Sequence, residues 1–599
     1  MNEEILAYYQ KKEKETAQSF EQAEKWANQV SYLRLGVFVA GAAVSYGVLQ
    51  QAFLMGILVS SVAVIGFLLL VKYHQRLDEK SKFIGQLLSV YQRELRVSNN
   101  DLDGLEDGAE LQVPGHRFSH DLDIFGPRSV FQYINRTVTR QGYILLGNWF
   151  GNPLHQVSKI VDRQVAVQNL AAEKDFVERF LALGAVNLKQ EESPEIFSNW
   201  LEQPVYFLSK KWLLPLMIVL PIGLIGMILA AASVPAIPLY APLLYAGLHL
   251  VVVRQFLPHT QKAYVMLNRR YRELTKYSQL IKLVEGTSFS AGLLSSVQEQ
   301  LKTGDETASE ALGRLASIMQ QFDNRLNFLA ALVLNGLFMW DLWIMRRLEK
   351  WKLRHQDHLV QWLEELAVVD ALVSLGNYAH NRPEFQFPRF TQEAPTLVAE
   401  NLGHPLLDPT KRVDNNLEMA QDGFYLLITG ANMAGKSTFL RTVGVNLVLG
   451  MMGAPCCATS FTFSPMGLYT SVRTTDSLQD DQSYFFAELV RLQGIVERLR
   501  EGERLFIILD EMLRGTNSKD KQNGSMGLIR QLVQYKGMGL IATHDLALGK
   551  LQNEFPDRIK NMRFEVEIDG DELHFDYKLQ PGISQNLNAT FLMEKMGII

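Results

Sequence analysis

Hydrophobic positions are spread unevenly along the 599 residues. Leu35 to Leu49 and Ala52 to Val71 are two apolar runs without a charge, separated only by Gln50 and Gln51. The second reaches the roughly 20 residues needed to cross a bilayer. A second pair, Trp212 to Ala232 and Ile237 to Val253, is joined by a turn with Ser233, Pro235 and Pro238. Pro215 and Pro221 inside it are tolerated because membrane helices accept proline. The pattern predicts two transmembrane helical hairpins, four spans in all. Small residues four apart, Ala43 with Gly47 and Gly226 with Ala230, are expected to let these helices pack closely.

Outside the hairpins the period is mostly helical. Met1 to Gln29 is strongly charged and predicts a solvated helix, and Leu102 to Leu201 is mixed and largely helical in pattern. From Thr260 to about His380 the chain again predicts long packed helices, with Leu312, Leu315, Met319 and Phe322 on one face. Leu326 to Trp340 is apolar but short, holds Asn327 and Asn335, and ends at Asp341. It is read as a buried helix or a membrane-surface helix. Pro383 and Pro388 close the helical part. Beyond them short apolar strands alternate with helices, which predicts an α/β domain.

The expected order is a cytoplasmic N-terminal helix (1–30), hairpin 1 (31–74), a first part of an all-α core (75–205), hairpin 2 (206–256), a second helical or lever part (257–395) and the α/β domain (396–599).

Chemistry concentrates at the ends of three strands. Phe424 to Ile428 runs into Gly430, Ala431, Asn432, Met433, Ala434, Gly435, Lys436, Ser437 and Thr438, the spacing G-x-x-x-x-G-K-S ahead of a helix. Glycines let backbone N–H groups close around phosphates, Lys436 reaches the β and γ phosphates, and Ser437 is a Mg²⁺ ligand. This is an ATP-binding loop. Leu505 to Glu511 ends in adjacent carboxylates: Asp510 to hold Mg²⁺, and Glu511 to polarise the attacking water. Gly539 to His544 ends in a histidine able to sense the γ-phosphate. Lys436, Asp510, Glu511 and His544 are the expected catalytic set, with ATP and Mg²⁺ as cofactors.

Charge then orients the chain. The formal net charge is −5, so nucleic-acid contact requires a local basic surface. Lys25, Arg34, Lys72, Arg76, Lys210, Lys211 and Arg254 flank the outer ends of the spans, and both short turns are uncharged. Positive flanks stay in the cytoplasm, which places the N-terminus and the ATP loop there in a multi-pass membrane protein. A fifth span at Leu326 to Trp340 would put the loop on the ATP-free side. Apart from Arg34 at an edge the spans carry no Asp, Glu, Lys or Arg, which favours anchoring over transport. Two basic clusters, Arg269/Arg270/Arg272 and Arg346/Arg347/Lys350/Lys352/Arg354, are read as phosphate contacts, of DNA or lipid, or as solvated helix faces. The two cysteines, Cys456 and Cys457, are adjacent, which excludes a disulfide framework and a four-ligand zinc site.

TGANMAGKST, LDEMLRGTNSKD and ATHDLAL resemble the ATPase motifs of the MutS family of DNA mismatch-repair proteins, relatives of ABC-type ATPases. DDQSYFFAEL resembles the family's signature segment, and the resemblance implies that Ser483 reaches the nucleotide of the opposite subunit in a homodimer. Arg514, Gly515 and Thr516 resemble the interface loop, and His404 and Pro405 the opening of the ATPase domain. Phe125 to Pro153, with Thr139, Gly142, Trp149 and Pro153, and Asp162-Arg163 resemble the start of the family's helical core, and VVDALVSLGNYAHN its last helix.

The likeness implies a P-loop ATPase of MutS/ABC type that acts on DNA, in mismatch repair or recombination-related binding. The alternative is a membrane scaffolding or remodelling ATPase that no longer binds DNA. Departures accompany the resemblance, among them the second hairpin, which interrupts the helical core where family members continue soluble helices. The N-terminal mismatch-reading domain has no counterpart, Phe176-Val177-Glu178 being a chance match to its wedge. The adenine-stacking aromatic is also missing from RVDNNLEM, which offers only Val413 and Asn415.

Overall fold

A computed structural model of the chain describes residues 2–185, 195–267, 271–290, 292–303, 306–391, 395–431, 433–472, 484–513, 515–569, 572–585 and 598. Asn432, Ser483, Arg514 and the Arg269/Arg270 pair lie outside the described residues.

The first 98 residues are two antiparallel helices, α1 (Glu3–Gln51) and α2 (Phe53–Ser98). Asn2 caps α1 by accepting from the Glu4 N–H at 3.2 Å, and the chain reverses at the extended residue Ala52. At 1.5 Å per residue each helix is about 70 Å long. Their outer halves present Phe38, Val39, Val62 and Leu69 to the surroundings, each more than half exposed. Their inner ends are not simply solvated: Ile5 and Tyr9 are buried, and Tyr8 and Tyr91 both donate to the Glu178 carboxylate at 2.6 Å. Tyr9 donates to Asn381 Oδ1 at 2.9 Å.

Short helices follow: α3 (Val130–Ile134), α4 (Arg140–Gly151), α5 (Val157–Ala172), α6 (Lys174–Gly184) and α7 (Glu195–Glu202). The second hairpin is α8 (Leu213–Ser233) and α9 (Ala241–Leu267). By length and composition α1, α2, α8 and α9 are able to cross a membrane, and the pair Phe328–Phe338 and Trp340–Asn381, bent by 82° between them, passes the same test only together. Their packing differs from the expected small-residue pairs, because a side chain added at Gly47 or Gly226 would meet nothing. Gly41 instead faces Ala63, and Gly223 faces Tyr245.

Beyond α9 come α10 (Tyr271–Glu285), α11 (Leu293–Gln300), a two-strand ribbon β1 (Lys302–Thr303) and β2 (Glu306–Thr307), α12 (Ala308–Phe322), α13 (Phe328–Phe338) and α14 (Trp340–Asn381). The four residues expected to share a face of α12 are all buried. The 42-residue α14, about 63 Å long, is the spine of the helical part. Its Asp370 is fully buried and accepts from the Val138 and Thr139 N–H groups at 3.0 and 2.8 Å and from the Thr139 hydroxyl at 2.7 Å. Burial pushes this carboxyl up to about 7. Gly142 is required here, since a Cβ would collide with the Asp370 carboxylate.

Two expectations change in this region. The buried alternative for Leu326 to Trp340 is wrong: Leu326, Phe328 and Leu329 are 68%, 77% and 70% exposed, because α13 lies against α8 and α9 by one side only. The second basic cluster is not one surface. Lys352 is buried and donates to the Trp200 carbonyl at 2.8 Å, and Arg346 donates to the Phe207 carbonyl at 3.1 Å. Arg347, Lys350 and Arg354 are exposed.

The α/β domain holds, in order, β3 (Arg389–Phe390), β4 (Leu397–Leu402), β5 (Asn415–Met419), β6 (Phe424–Gly430), α15 (Lys436–Met451), β7 (Ser460–Phe463), β8 (Gly467–Ser471), α16 (Tyr484–Arg500), β9 (Leu505–Asp510), α17 (Ser518–Leu532), β10 (Gly537–Thr543), β11 (Ile559–Asp569) and β12 (Glu572–Pro581). The main sheet runs β12-β11-β6-β10-β9-β8, parallel except for β12, and a four-stranded sheet runs β3-β7-β4-β5. The central strands are buried on both faces, which is why they read as unbroken apolar runs. Pairing of Thr429 with Thr543 and of Ala542 with Asp510 brings the carboxyl ends of β6, β10 and β9 to one edge.

Candidate functional site

Ligands of open parallel sheets bind outside the carboxyl ends of the strands, and the register above puts three chemistry-bearing loops there. The loop after β6 turns into α15 at Gly435, which sits in the left-handed region with φ 102°. Met433 also has a positive φ, 67°. Alternating backbone of this kind turns successive N–H groups inward and makes an anion nest. The first turn of α15 has no acidic side chain, so its N-terminal potential is uncancelled.

The buried Lys436 donates to the carbonyls of Gly430 and Ala431 at 2.8 and 2.9 Å, folding its ammonium back over the loop. Ser437 donates to Asp510 Oδ2 at 2.5 Å. Immediately after β9, Glu511 adopts φ 52°, a costly conformation for a residue with a Cβ. Its N–H donates to the Ala542 carbonyl at 3.0 Å, and its Oε1 lies 2.7 Å from His544 Nε2. The same His544 nitrogen is 3.3 Å from Lys436 Nζ.

These groups surround one cavity of about 710 Å³. Ala431, Met433, Gly435, Lys436, Ser437, Thr438, Asp510, Glu511 and His544 line it, while Gly430 and Ala434 do not. Asn432 and Ser483 lie outside the described residues. His404 is on the wall, and burial pushes its imidazole down to about 4, so it is neutral at physiological pH. Val413 and Asn415 line the cavity too.

Sequence reasoning missed Tyr577. Its ring, half-exposed on β12, touches the position a Cβ would take at Gly435, and its carbonyl accepts from Asn415 Nδ2 at 3.0 Å. The signal lay in the alternating F-D-Y of the closing strand, 141 residues after Lys436. Only the turn-back of β12 beside β11 brings it to the loop.

The donor set suits a nucleotide with magnesium. Among the described residues no group of three His, Cys, Asp or Glu side chains is placed to hold a metal by itself. A single carboxylate and a hydroxyl, Asp510 and Ser437, match Mg²⁺, which keeps waters and takes its remaining ligands from phosphates.

The cavity is tied to neighbouring elements. Glu488 of α16, the helix that follows the Ser483 segment, accepts from the Leu513 N–H at 2.5 Å. Arg491 donates to the carbonyls of Thr470 and Arg117 at 2.6 and 2.9 Å, and Arg441 pairs with Asp123 at 3.0 Å. Arg163 lies over the Trp149 ring at 3.6 Å and donates to the Met452 carbonyl at 3.3 Å. The helical part and the α/β domain are therefore joined by buried and partly buried polar contacts.

A family model described as MutS domain V matches residues 426–592. The chain is 27% identical over 234 residues to the DNA mismatch repair protein MutS of Thermotoga neapolitana, covering 39% of this chain and 28% of the relative. It is 32% identical over 248 residues to the DNA mismatch repair protein MutS of Methanococcoides burtonii, covering 39% and 27%. With MutS protein homolog 4 of Homo sapiens it is 26% identical over 245 residues, covering 39% and 25%. The chain thus spans little more than a quarter of the length of these relatives. Residues 426–592, the part of the chain that carries the cavity, are thus a domain of MutS type.

Proposed function

We propose that the chain is a membrane-anchored MutS-type ATPase that binds ATP and Mg²⁺ at composite sites of a homodimer, hydrolyses the nucleotide, and acts on DNA. The observation that carries this reading is the convergence of Lys436, Ser437, Asp510, Glu511 and His544 on one cavity at the strand ends.

The roles follow from position. The loop N–H groups and Lys436 hold the phosphates, with the ammonium exchanging its carbonyl partners for phosphate oxygens. Ser437 and Asp510 would hold Mg²⁺, which would supply neutralisation of the phosphate charge. Glu511 accepts the proton of the attacking water, and His544, within reach of both Glu511 and Lys436, orients that carboxylate beside the γ-phosphate. Ser483 enters from the second subunit, and Glu488 links its helix to the loop behind Glu511.

Tyr577 supplies a flat face for the adenine. Tyr577→Ala is expected to weaken ATP binding by about 1–3 kcal/mol, roughly 5- to 150-fold in Kd. Tyr577→Phe is expected to bind as the parent does. Calorimetric titration with a non-hydrolysable ATP analogue checks this, and equal affinity for all three proteins would remove the stacking role.

Anchoring is supported by the four long apolar helices and by the exposed apolar side chains along them, which water would not tolerate on such a scale. DNA as the target is supported by the likeness to DNA mismatch repair proteins. One observation favours the alternative of a scaffolding ATPase without DNA: α13, at the end of the helical arm, exposes apolar and not basic residues.

ATP turnover by the purified dimer separates the two readings. With linear, mismatched and branched DNA across a salt series, DNA action predicts stimulation and binding that weakens steeply with salt. No stimulation and no salt-dependent binding for any of them leaves the scaffolding ATPase.

A further inference from the structure

The apolar helix α13 belongs to neither the ATP cavity nor the two hairpins. Its 11 residues make about 16 Å, half of the roughly 30 Å hydrocarbon core, so by itself it is too short to span, and the 82° bend into α14 keeps the two from forming one straight span. It is nonetheless apolar on nearly every side, and among its residues only Asn335 and Gly336 are buried.

The inward side is where its polar groups are satisfied. Asn335 Oδ1 accepts from the Asp341 N–H at 2.9 Å, and the Gly336 carbonyl lies 2.7 Å from Nδ1 of the buried His249 on α9. Arg325, just before the helix, pairs with Asp341 just after it at 3.6 Å. Met339, left-handed at φ 53°, turns the chain by 82° into α14. The segment is therefore a fixed structure whose polar atoms face protein and whose Leu326, Phe328, Leu329 and Val333 face outward.

Depth follows from α9. His249 and Leu250, which touch α13 at Gly336, precede the basic residue Arg254 by five and four positions. Along a helix that is about 6–8 Å. Arg254 marks the charged boundary of the span, so α13 sits one turn inside it, at the 5–10 Å depth of helices that lie in a membrane interface. Trp340 and the half-exposed Trp212 stand at the same end, where indoles favour the headgroup level.

We propose that α13 is a third membrane element: a helix lying in the cytoplasmic leaflet against the base of α8 and α9, so that the arm made by α12 and α14 ends in lipid. The proposal rests on the reading of α8 and α9 as spans. Its consequence is mechanical, because α14 then runs unbroken from the leaflet to Asn381, and Gln386, five residues on, exchanges backbone hydrogen bonds with Cys456 of the α/β domain.

Lipid contact is tested on the full chain in vesicles of phosphatidylcholine and phosphatidylglycerol, some carrying acyl-chain bromines. An environment-sensitive fluorophore is placed at Leu329→Cys and, separately, Phe328→Cys, both highly exposed; native Cys456 and Cys457 are buried and spared. Leu229→Cys on α8 reports the span, and Gln361→Cys, 21 residues along α14 from Trp340, reports water. The labels at 328 and 329 are expected to be blue-shifted and to lose emission to brominated lipid as the label at 229 does, with 361 unaffected. Labels at 328 and 329 that behave like 361 while 229 is quenched overturn the proposal and leave anchoring intact. A blue shift without bromine quenching puts protein on α13 and likewise overturns it. A label at 229 that is itself unquenched overturns the anchoring reading, and α13 with it.

Discussion

Glu511→Gln is expected to slow ATP turnover by about 10²–10⁴-fold, the contribution of a positioned general base, while ATP binding persists. The amide keeps the shape and still accepts from His544, but it cannot take a proton from water. The phosphate-holding groups, Lys436 and the loop, are untouched, so the variant is expected to trap ATP between subunits. Lys436→Ala differs in kind: it removes the buried ammonium that lies 2.8 Å from the Gly430 carbonyl, and binding itself is expected to be lost. Single-turnover hydrolysis and filter binding of labelled ATP separate the two effects. A Glu511→Gln protein that hydrolyses at the parental rate removes Glu511 from the chemistry and shifts the base role to another group. The left-handed backbone at Glu511 sharpens the argument, since strain of that sort persists only where surrounding structure enforces it.

How much of this was legible in the sequence depends on the range of the cause. Strand-to-loop steps such as Ile428 to Gly430 and Leu509 to Asp510 are local, and the register of parallel strands then aligns them without further information. The two hairpins are legible for the same reason, because 20 consecutive apolar residues leave few alternatives. Tyr577 was not legible: its place beside Gly435 depends on how a strand late in the chain pairs and on Asn415 holding its carbonyl. Lys352 looked like a surface charge among others, yet α14 is buried on several sides, and the ammonium finds its partners in carbonyls about 150 positions earlier. The left-handed turn at Glu511 has no sequence signal, since glutamate seldom adopts it. Leu326 to Trp340 was ambiguous because composition tells that a helix is apolar but not which of its sides meets protein.

The largest expected loss of stability comes from Glu94→Ala, about 3–5 kcal/mol, the range for stripping one partner from a buried ion pair. Glu94 is fully buried on α2 and holds Arg136 by Nε at 2.7 Å and Nη2 at 3.3 Å. Arg93 Nε lies 3.4 Å away, and Asn381 at the end of α14 donates to the same carboxylate at 2.9 Å. Burial alone would raise this carboxyl, but Arg136 and Arg93 outweigh it and hold it below the usual range. A lowered native value means that the stabilisation is present above the unfolded value and is lost as pH falls through the native one. Alanine leaves two buried guanidiniums facing each other, and burial already pushes Arg93 down to about 10. Replacing Glu94 and Arg136 together by leucine is expected to be milder than Glu94→Ala, because one buried guanidinium, that of Arg93, stays behind and not two. Denaturant unfolding of the detergent-solubilised chain, followed by helical signal, measures the loss. Hydrogen exchange locates it, with the inner ends of α1 and α2 opening first, since Glu94 joins the stalk of the first hairpin to the end of α14. A change below about 1 kcal/mol would show that the site is hydrated enough to tolerate the unpaired arginines, and that Tyr8, Tyr9 and Tyr91 hold the stalk to the core without it.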